Sequence, residues 1–586
     1  MREKKDTKKT DKIVDISDQV KQRCDEEANL LASADGQKKK PGCGGPDDPR
    51  FVLDCLSNNE RGDGVLFASL HRDRFAYDKT AQRWLEYPFK GHHWQVDRMG
   101  RATTAVEQVA LRYEGQSDFY TTAIKKEREL MTETEAKAKQ CKETEDLPGN
   151  KAAIAEAVQI AGKIERYQNK RKALSSRTDR LRSVRGATNC LTWAHSIDEP
   201  LAIVGEEIDQ RPLLLPVKNG VIDLETGRLR NGDPADWLVK SSPVLFPETP
   251  NIADYLATGN NCPCPDWDRS NRDNLGDDEV ADFFHRLLGY SITGLATEHI
   301  VTVAIGEGRN GKGTTFELLQ AILGDFAWVI SPELILEQKN ARSSSGAAAD
   351  LVALDGRRLI VGSETDENRR ISGSAVKQLT GGDTIKARPL YQSDEINIAQ
   401  TWKLFIHTNS IPLGLTKDFA LLQRLIYIKF PYLYVDDIEG ETRKKPALEG
   451  FFRQKDRGLP ARLAKEAPGI LAWLVRGCLL WQKHGLNPPD KIKADIDQLR
   501  EDEDVLGQFI EHRCDRHPDD PHKSVLLKDF YKDFEAWHKD NHGDYVPSRK
   551  RIGADMVKRG YRKDKIGGNT RIFGILVRFD PDSGCP

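Results

Sequence analysis

The stretch whose reading decides the fold is Ile300-Val-Thr-Val-Ala-Ile-Gly-Glu-Gly-Arg-Asn-Gly-Lys-Gly-Thr-Thr-Phe316. Val301, Val303 and Ile305 set a β-branched, apolar run that goes straight into a glycine-rich turn. A helical pattern follows from Thr315 to Leu323 and stops at Gly324. Strand, loop and helix therefore meet at Gly306-x-x-x-x-Gly311-Lys312, the arrangement of a phosphate cradle. Glycines let successive backbone N–H groups face one anion, and the start of the helix adds its positive end. The expected cradle comprises Gly306, Gly308, Asn310, Gly311, Lys312, Gly313, Thr314 and Thr315. Lys312 meets the terminal phosphates as a point charge. A hydroxyl after the lysine holds Mg²⁺ in such loops. That position is Gly313 here, so Thr314 is the expected metal ligand.

Three further strands lie downstream. Arg358-Leu-Ile-Val-Gly-Ser363 ends at the carboxylate Glu364, suited to polarise a water or to hold Mg²⁺. Trp402-Lys-Leu-Phe-Ile-His-Thr408 ends at Asn409, whose amide can orient a water against a γ-phosphate. Arg424-Leu-Ile-Tyr-Ile-Lys-Phe430 opens on an arginine. Strands alternating with helices predict a parallel, three-layered α/β core.

The chain has 586 residues, enough for several domains at roughly 100–200 residues each. Net charge is −2, so any basic surface must be local. No apolar run approaches about 18 residues, and no membrane span is expected. Met1–Lys12 has no apolar segment behind it and does not read as a secretory signal. Ten scattered cysteines lack framework spacing, which fits reduced thiols in a cytoplasm. Cys262-Pro-Cys264 is the one close pair, with no second pair at zinc-ligand spacing.

The basic concentration falls at the C-terminal end. Between Tyr545 and Phe579 stand ten Lys/Arg against two acids. Val505–His512, Leu526–His538 and a third segment capped by Ser548 read as helices, and Tyr561–Val577 reads as a hairpin turning at Gly567-Gly568. Three helices and a hairpin predict a winged helix. Arg549, Lys550, Arg551, Lys558, Arg559, Arg562 and Arg571 are its candidate DNA contacts.

Taken in order, the chain divides into a flexible tail over 1–50, a small α+β domain over 51–117 and a helical connector over 118–210. A strand-rich segment and linker over 211–275 lead to the nucleotide core over 276–435, a helical lid over 436–499 and the winged helix over 500–586. Phe75–Tyr87 predicts a hairpin, Asn251–Asn274 a linker and Asp277–Tyr290 a helix.

The ordered set Gly306–Thr314, Glu364, Lys377-Gln-Leu-Thr-Gly-Gly-Asp-Thr-Ile-Lys-Ala-Arg388, Thr408-Asn409 and Arg424 resembles the superfamily 3 helicases. The likeness is to the phage and plasmid primase–helicase branch, related to the poxvirus replication ATPase. It spans about 125 residues from Gly306 to Phe430. The resemblance implies an AAA+-like P-loop ATPase that assembles as a hexameric ring. Such a ring moves 3′ to 5′ on single-stranded DNA in the replication of a phage, plasmid or integrated element, in a bacterial host cytoplasm. It implies that Lys312 and Thr314 bind ATP-Mg²⁺, with Glu364 as the Walker B acid and Asn409 as the sensor. It implies that Lys386 and Arg388 form a DNA-contacting hairpin and that Arg424 reaches a neighbouring subunit's ATP. Two positions depart from the family: Gln423 precedes Arg424 where two arginines are common, and Ser363 precedes Glu364 where two acids are common. A DNA-binding ATPase switch without processive unwinding, and the helicase part of a primase–helicase with priming supplied by another chain, are the other readings.

Overall fold

The computed structural model describes residues 45–337, 348–363, 370–390, 395–409, 419–518, 520, 522–542 and 546–578. Two compact units emerge. One runs to Phe89 and resumes over Trp94–Glu207; the other takes Lys90–His93 and the chain from Ile208.

In the first unit, helices α1 (Pro49–Ser57) and α2 (Asn59–His71) lead into strands β1 (Phe75–Asp78), β2 (Arg83–Glu86) and β3 (Gln95–Val96). Phe75 pairs with Glu86 in the expected antiparallel hairpin. Then come α3 (Arg101–Glu143), α4 (Leu147–Leu181) and α5 (Val184–Ala194), with β4 (Ala202–Ile203) closing the sheet beside β1. α3 and α4 form a long antiparallel pair. Tyr113, Tyr120 and Ile124 on one helix face Ile160, Ile164, Tyr167 and Leu174 on the other, a narrow stripe at helical spacing. The division expected after residue 117 therefore falls inside an unbroken helix. α3 and α4 share their core with Phe51, Leu66 and Phe67, so the small domain and the connector are one unit. Asp63 and Arg177 pair at 2.8 Å within it, and Tyr113 Oη donates to Asp63 at 3.0 Å.

In the second unit, β5 (Leu214–Val217), β6 (Gly220–Asp223) and β7 (Arg228–Arg230) make an antiparallel meander. Helices α6 (Pro250–Thr258), α7 (Pro265–Leu275) and α8 (Asp278–Ser291) follow. The first two occupy the stretch expected to be a linker. Each starts with proline in the first turn, where a missing N–H costs nothing, and each stops at a left-handed glycine, Gly259 or Gly276. Tyr255 and Trp267 bury their apolar faces.

The central sheet contains β8 (Val301–Ile305), β9 (Ala327–Ile330), β10 (Leu359–Ser363), β13 (Lys403–Thr408) and β14 (Leu425–Lys429). Its order is β14-β8-β13-β10-β9, and every pairing is parallel. Helix α9 (Lys312–Leu323) follows β8, and α10 (Gly373–Thr380) precedes a hairpin of β11 (Ile385–Ala387) and β12 (Ile396–Ile398). Alternate residues of the strands feed opposite layers. Val301, Val303 and Ile406 pack with Val376 and Leu379; Ala304 and Phe405 pack with Phe316, Leu319 and Phe284. Arg358 ties the meander to the sheet, donating to Leu214 O at 2.6 Å and Ile292 O at 2.7 Å. Burial lowers its pKa to about 10, and burial likewise lowers that of Lys403.

Beyond the sheet, β15 (Leu433–Val435) pairs with β16 (Phe452–Gln454). Helix α11 (Ala467–His484) crosses α8 so closely that a side chain on Gly289 would strike the backbone at Gly477 and Cys478. Helix α12 (Asp490–Glu503) leads to the C-terminal set: α13 (Val505–Arg513), β17 (Cys514–Arg516), β18 (Ser524–Leu526), α14 (Leu527–His542) and α15 (Arg549–Lys558). β19 (Lys563–Ile566), β20 (Asn569–Phe573) and β21 (Ile575–Val577) complete it. Phe509 packs edge-on against Phe530 and Phe534, both at 5.3 Å. Ser548 Oγ accepts from Arg551 N at 3.4 Å, as the cap position predicts. No described helix is long and apolar enough to cross a membrane.

Candidate functional site

The glycine loop sits where β8 ends and α9 begins. Its backbone is held from three sides. Gly306 N donates to Thr408 O at 3.3 Å, Phe430 N donates to Ile305 O at 2.7 Å, and Tyr434 N donates to Arg309 O at 2.8 Å. A Cβ on Gly306 would collide with the Asn310 amide and the Phe430 carbonyl. Gly311 has φ +86° and caps α9; a Cβ there would come within 2.6 Å of Asn274 Nδ2. With no side chain at the cap, the N–H groups of Gly313 and Thr314 fall in the first turn, where the helix supplies no acceptor. Gly313 is exposed, Thr314 half-buried and Thr315 buried.

Lys312 is buried, with 4 % of its surface exposed, and its Nζ donates to Gly306 O and, at 3.5 Å, to Asn409 Oδ1. Asn409 Oδ1 also accepts from Gly308 N at 3.3 Å. The neighbouring strands explain this meeting. β13 lies beside β8 with Thr408 opposite Ile305, so the residue after β13 emerges against the loop. Asn310 is also buried; its Oδ1 lies 3.4 Å from Lys312 N, and its Nδ2 has no partner among the described residues.

These features fit a polyphosphate: bare loop backbone, an uncapped helix start, a converging lysine and asparagine, and a buried amide nitrogen facing the loop. For Mg²⁺, Thr314 stands at the helix start, whereas Glu364 lies outside the described residues. β10, which leads to Glu364, lies next to β13 with Ser363 opposite His407.

Arg424 stands at the other end of the sheet. Its carbonyl accepts from Val301 N at 2.8 Å, at the start of β8, while the loop follows the end of that strand. Its guanidinium donates to Lys377 O at 3.3 Å and Thr380 Oγ1 at 3.2 Å. Lys386 is exposed on β11 opposite Asn397, and Arg388 is half-buried just past the strand. In the C-terminal set, Arg549, Lys550 and Arg551 project from the first turn of α15 into solvent. Lys558 is 3.7 Å from Asp555, Arg559 pairs with Asp504, and Arg562 lies over the Phe573 ring at 4.2 Å. Arg571 Nε donates to Ser524 Oγ at 2.9 Å.

Two parts of the loop's surroundings escaped the sequence reading. Asn274, near the end of α7, abuts Gly311, and Tyr434 grips the loop through its backbone. Burial, with the charge of Asp273 second, raises the Tyr434 pKa to about 12. The only local sign of Asn274 was its place just before the helix-ending Gly276.

Comparison with known proteins adds a lineage. Residues 64–275 match the family described as "D5 N terminal like". The chain is 27% identical over 353 residues to "Putative helicase L207/L206" of Acanthamoeba polyphaga mimivirus, covering 58% of this chain and 35% of that protein. It is 24% identical over 394 residues to "Putative helicase 022R" of Frog virus 3, covering 58% of this chain and 40% of that protein. It is 27% identical over 238 residues to "Uncoating factor OPG117" of Vaccinia virus, covering 38% of this chain and 28% of that protein. The chain thus spans less than half the length of these curated relatives. A solved structure, the apo C terminal region of NrS-1, aligns at TM-score 0.31 and 14% identity over 57% of this chain and 77% of that one. The chain thus carries a D5-like segment and, separately, is similar to viral proteins carrying helicase names. The expected placement in a phage and plasmid branch finds no counterpart among these viral relatives.

Proposed function

We propose that this protein is an ATP-dependent DNA helicase or translocase of the superfamily 3 type, with a P-loop AAA+-like core and a C-terminal winged helix. It works as a ring, in the expected form a hexamer, moving 3′ to 5′ on single-stranded DNA during replication of a viral or other mobile genome. The observation that carries this reading is the contact of Asn409 with both Gly308 and Lys312. A strand-end amide joined to a glycine-rich loop and its lysine is an arrangement for reading the state of a γ-phosphate. The loop backbone and Lys312 hold ATP, and Thr314 with Glu364 holds Mg²⁺, which neutralises charge on the phosphates. Arg424 serves the site of the next subunit, and Lys386, Arg388 and the exposed start of α15 meet DNA.

The test is ATP hydrolysis with and without single-stranded DNA, with strand separation on a forked duplex scored in the same samples. DNA-stimulated hydrolysis with unwinding supports the helicase. Hydrolysis without unwinding replaces it with an ATPase switch. Absence of Lys312-dependent hydrolysis overturns the nucleotide site itself.

A further inference from the structure

The function proposed above leaves Cys262-Pro263-Cys264 unused. The pair stands between α6 and α7, and Pro263 restricts the backbone that joins the two thiols. Their Sγ atoms lie 3.8 Å apart. Cys262 is half-buried, while Cys264 is buried with 0 % of its surface exposed. Helix α11 packs so close that a Cβ on Gly469 would strike Pro263 O at 2.2 Å and come within 3.2 Å of Cys264 Cβ. Glu466 accepts from Asp266 N at 3.1 Å and from Trp267 N at 2.9 Å, which fixes the first turn of α7. Packing and capping thus hold the two sulfurs within reach of each other. The far end of the same helix brings Asn274 against Gly311.

The two thiols differ in character. The hydrogen bond from Cys264 lowers the Cys262 pKa to about 7 against the opposing effect of burial, and a hydrogen bond from Tyr255 adds to it. Burial raises the pKa of Cys264. Burial raises Cys55, Cys190, Cys478 and Cys514 in the same way. Near neutral pH Cys262 is therefore an accessible thiolate, the nucleophilic form, with a protonated thiol beside it. Among the described residues no three His, Cys, Asp or Glu side chains come together to hold a metal ion. A disulfide that closes across a single intervening residue is strained and easily reopened, as regulatory disulfides are and structural ones are not.

We propose that Cys262 and Cys264 are an oxidative modification site, at which a hydroperoxide oxidises Cys262 and Cys264 then closes a disulfide with it. In the first step the Cys262 thiolate attacks one peroxide oxygen. The S–O bond forms, the O–O bond breaks, and the departing oxygen takes a proton from water and leaves as alcohol or, from hydrogen peroxide, as water. Sulfur gives up two electrons and the peroxide gains them, leaving a sulfenic acid on Cys262. In the second step Cys264 Sγ attacks the Cys262 sulfur. The S–S bond forms, the S–O bond breaks, and the hydroxide leaves as water with the Cys264 proton. A dithiol reductant reverses the change by returning two electrons and two protons, itself becoming a disulfide. The site goes beyond the function proposed above and does not depend on ATP.

The experiment treats the full, reduced chain with hydrogen peroxide, blocks the remaining thiols with N-ethylmaleimide and weighs the tryptic peptide over 241–269, which carries both cysteines of the pair and no other. After peroxide the peptide is unalkylated and two hydrogens lighter than the dithiol. Dithiothreitol added before blocking returns it to the doubly alkylated form. Cys264→Ala halts the reaction at the sulfenic acid, which dimedone captures on Cys262. Without the Cys264 hydrogen bond, iodoacetamide labels Cys262 at neutral pH about threefold more slowly, because the loss of thiolate outweighs the gain in nucleophilicity. Cys262→Ala leaves Cys264 unoxidised. A doubly alkylated peptide from the peroxide-treated parent overturns the site. Dimedone capture on Cys262 of the parent without any disulfide overturns the pairing, and oxidation of Cys264 in Cys262→Ala overturns the order of attack. The peptide mass is read without ATP, so this result and failure of the nucleotide site are separate.

Discussion

Arg424→Ala separates a ring enzyme from a self-sufficient one. Arg424 immediately precedes β14, and the glycine-rich loop lies past the far end of the adjacent strand β8. Five strand residues at about 3.3 Å each put roughly 16 Å of sheet between them. An arginine side chain does not bridge that span, so a catalytic role requires the loop of another subunit. Loss of an arginine that stabilises the transferring phosphoryl group costs about 10³–10⁵ in kcat, or about 4–7 kcal/mol of barrier. Among the described residues the variant loses the two hydrogen bonds to Lys377 O and Thr380 Oγ1, at about 1 kcal/mol each. The fold therefore survives while turnover disappears. ATP binding, read with a fluorescent ATP analogue, stays at the parent affinity. Arg424→Ala and Lys312→Ala are each inactive alone, yet an equal mixture recovers activity. A working contact needs an intact loop from one subunit and an intact arginine from the next, which random assembly gives at about a quarter of the interfaces. Hydrolysis by Arg424→Ala at the parent rate, or a mixture as silent as its parts, refutes the reasoning.

Lys312→Ala removes the cation beside Gly306 O and Asn409 and is expected to abolish hydrolysis, with analogue binding weakened at least tenfold. Gly306→Ala drives a methyl into the Asn310 amide and the Phe430 carbonyl. Analogue binding should fall below detection while far-ultraviolet circular dichroism keeps the parent helix content. His285 is stacked on Trp473 at 3.7 Å with its Nε2 donating to Trp473 O at 2.7 Å, and burial lowers its pKa to about 4. The unfolded chain takes up this proton near pH 6.5 and the folded one only near 4, so stability is full above pH 6.5 and declines as pH falls. By pH 5 the loss is about 2 kcal/mol, seen as a lowered urea midpoint that His285→Phe makes less dependent on pH.

What the sequence made legible was local. Val301–Ile305 followed by Gly306 and Lys312 can be read because strand, turn and helix are each encoded within a few residues. The Ser548 cap and the Phe75–Glu86 hairpin are of the same kind. α6 and α7 were just as local, but the polar residues of Asn251–Asn274 obscured their proline starts and glycine stops. The unity of α3 and α4 with the residues before them was not local at all. It rests on Tyr113 reaching Asp63 and Arg177 reaching the same carboxylate, partners 50 and 114 residues away. The candidate site divides along the same line. Lys312 and Asn409 are recognisable as residue types at strand ends, yet nothing near either one encodes their meeting across 97 residues of chain. That contact is produced by the order β8-β13 in the sheet, a consequence of how the strands pack rather than of any single motif. The same packing sends Arg424 to the opposite end of the strands, so one arrangement both brings Asn409 against the glycine-rich loop and keeps the chain's own Arg424 away from it.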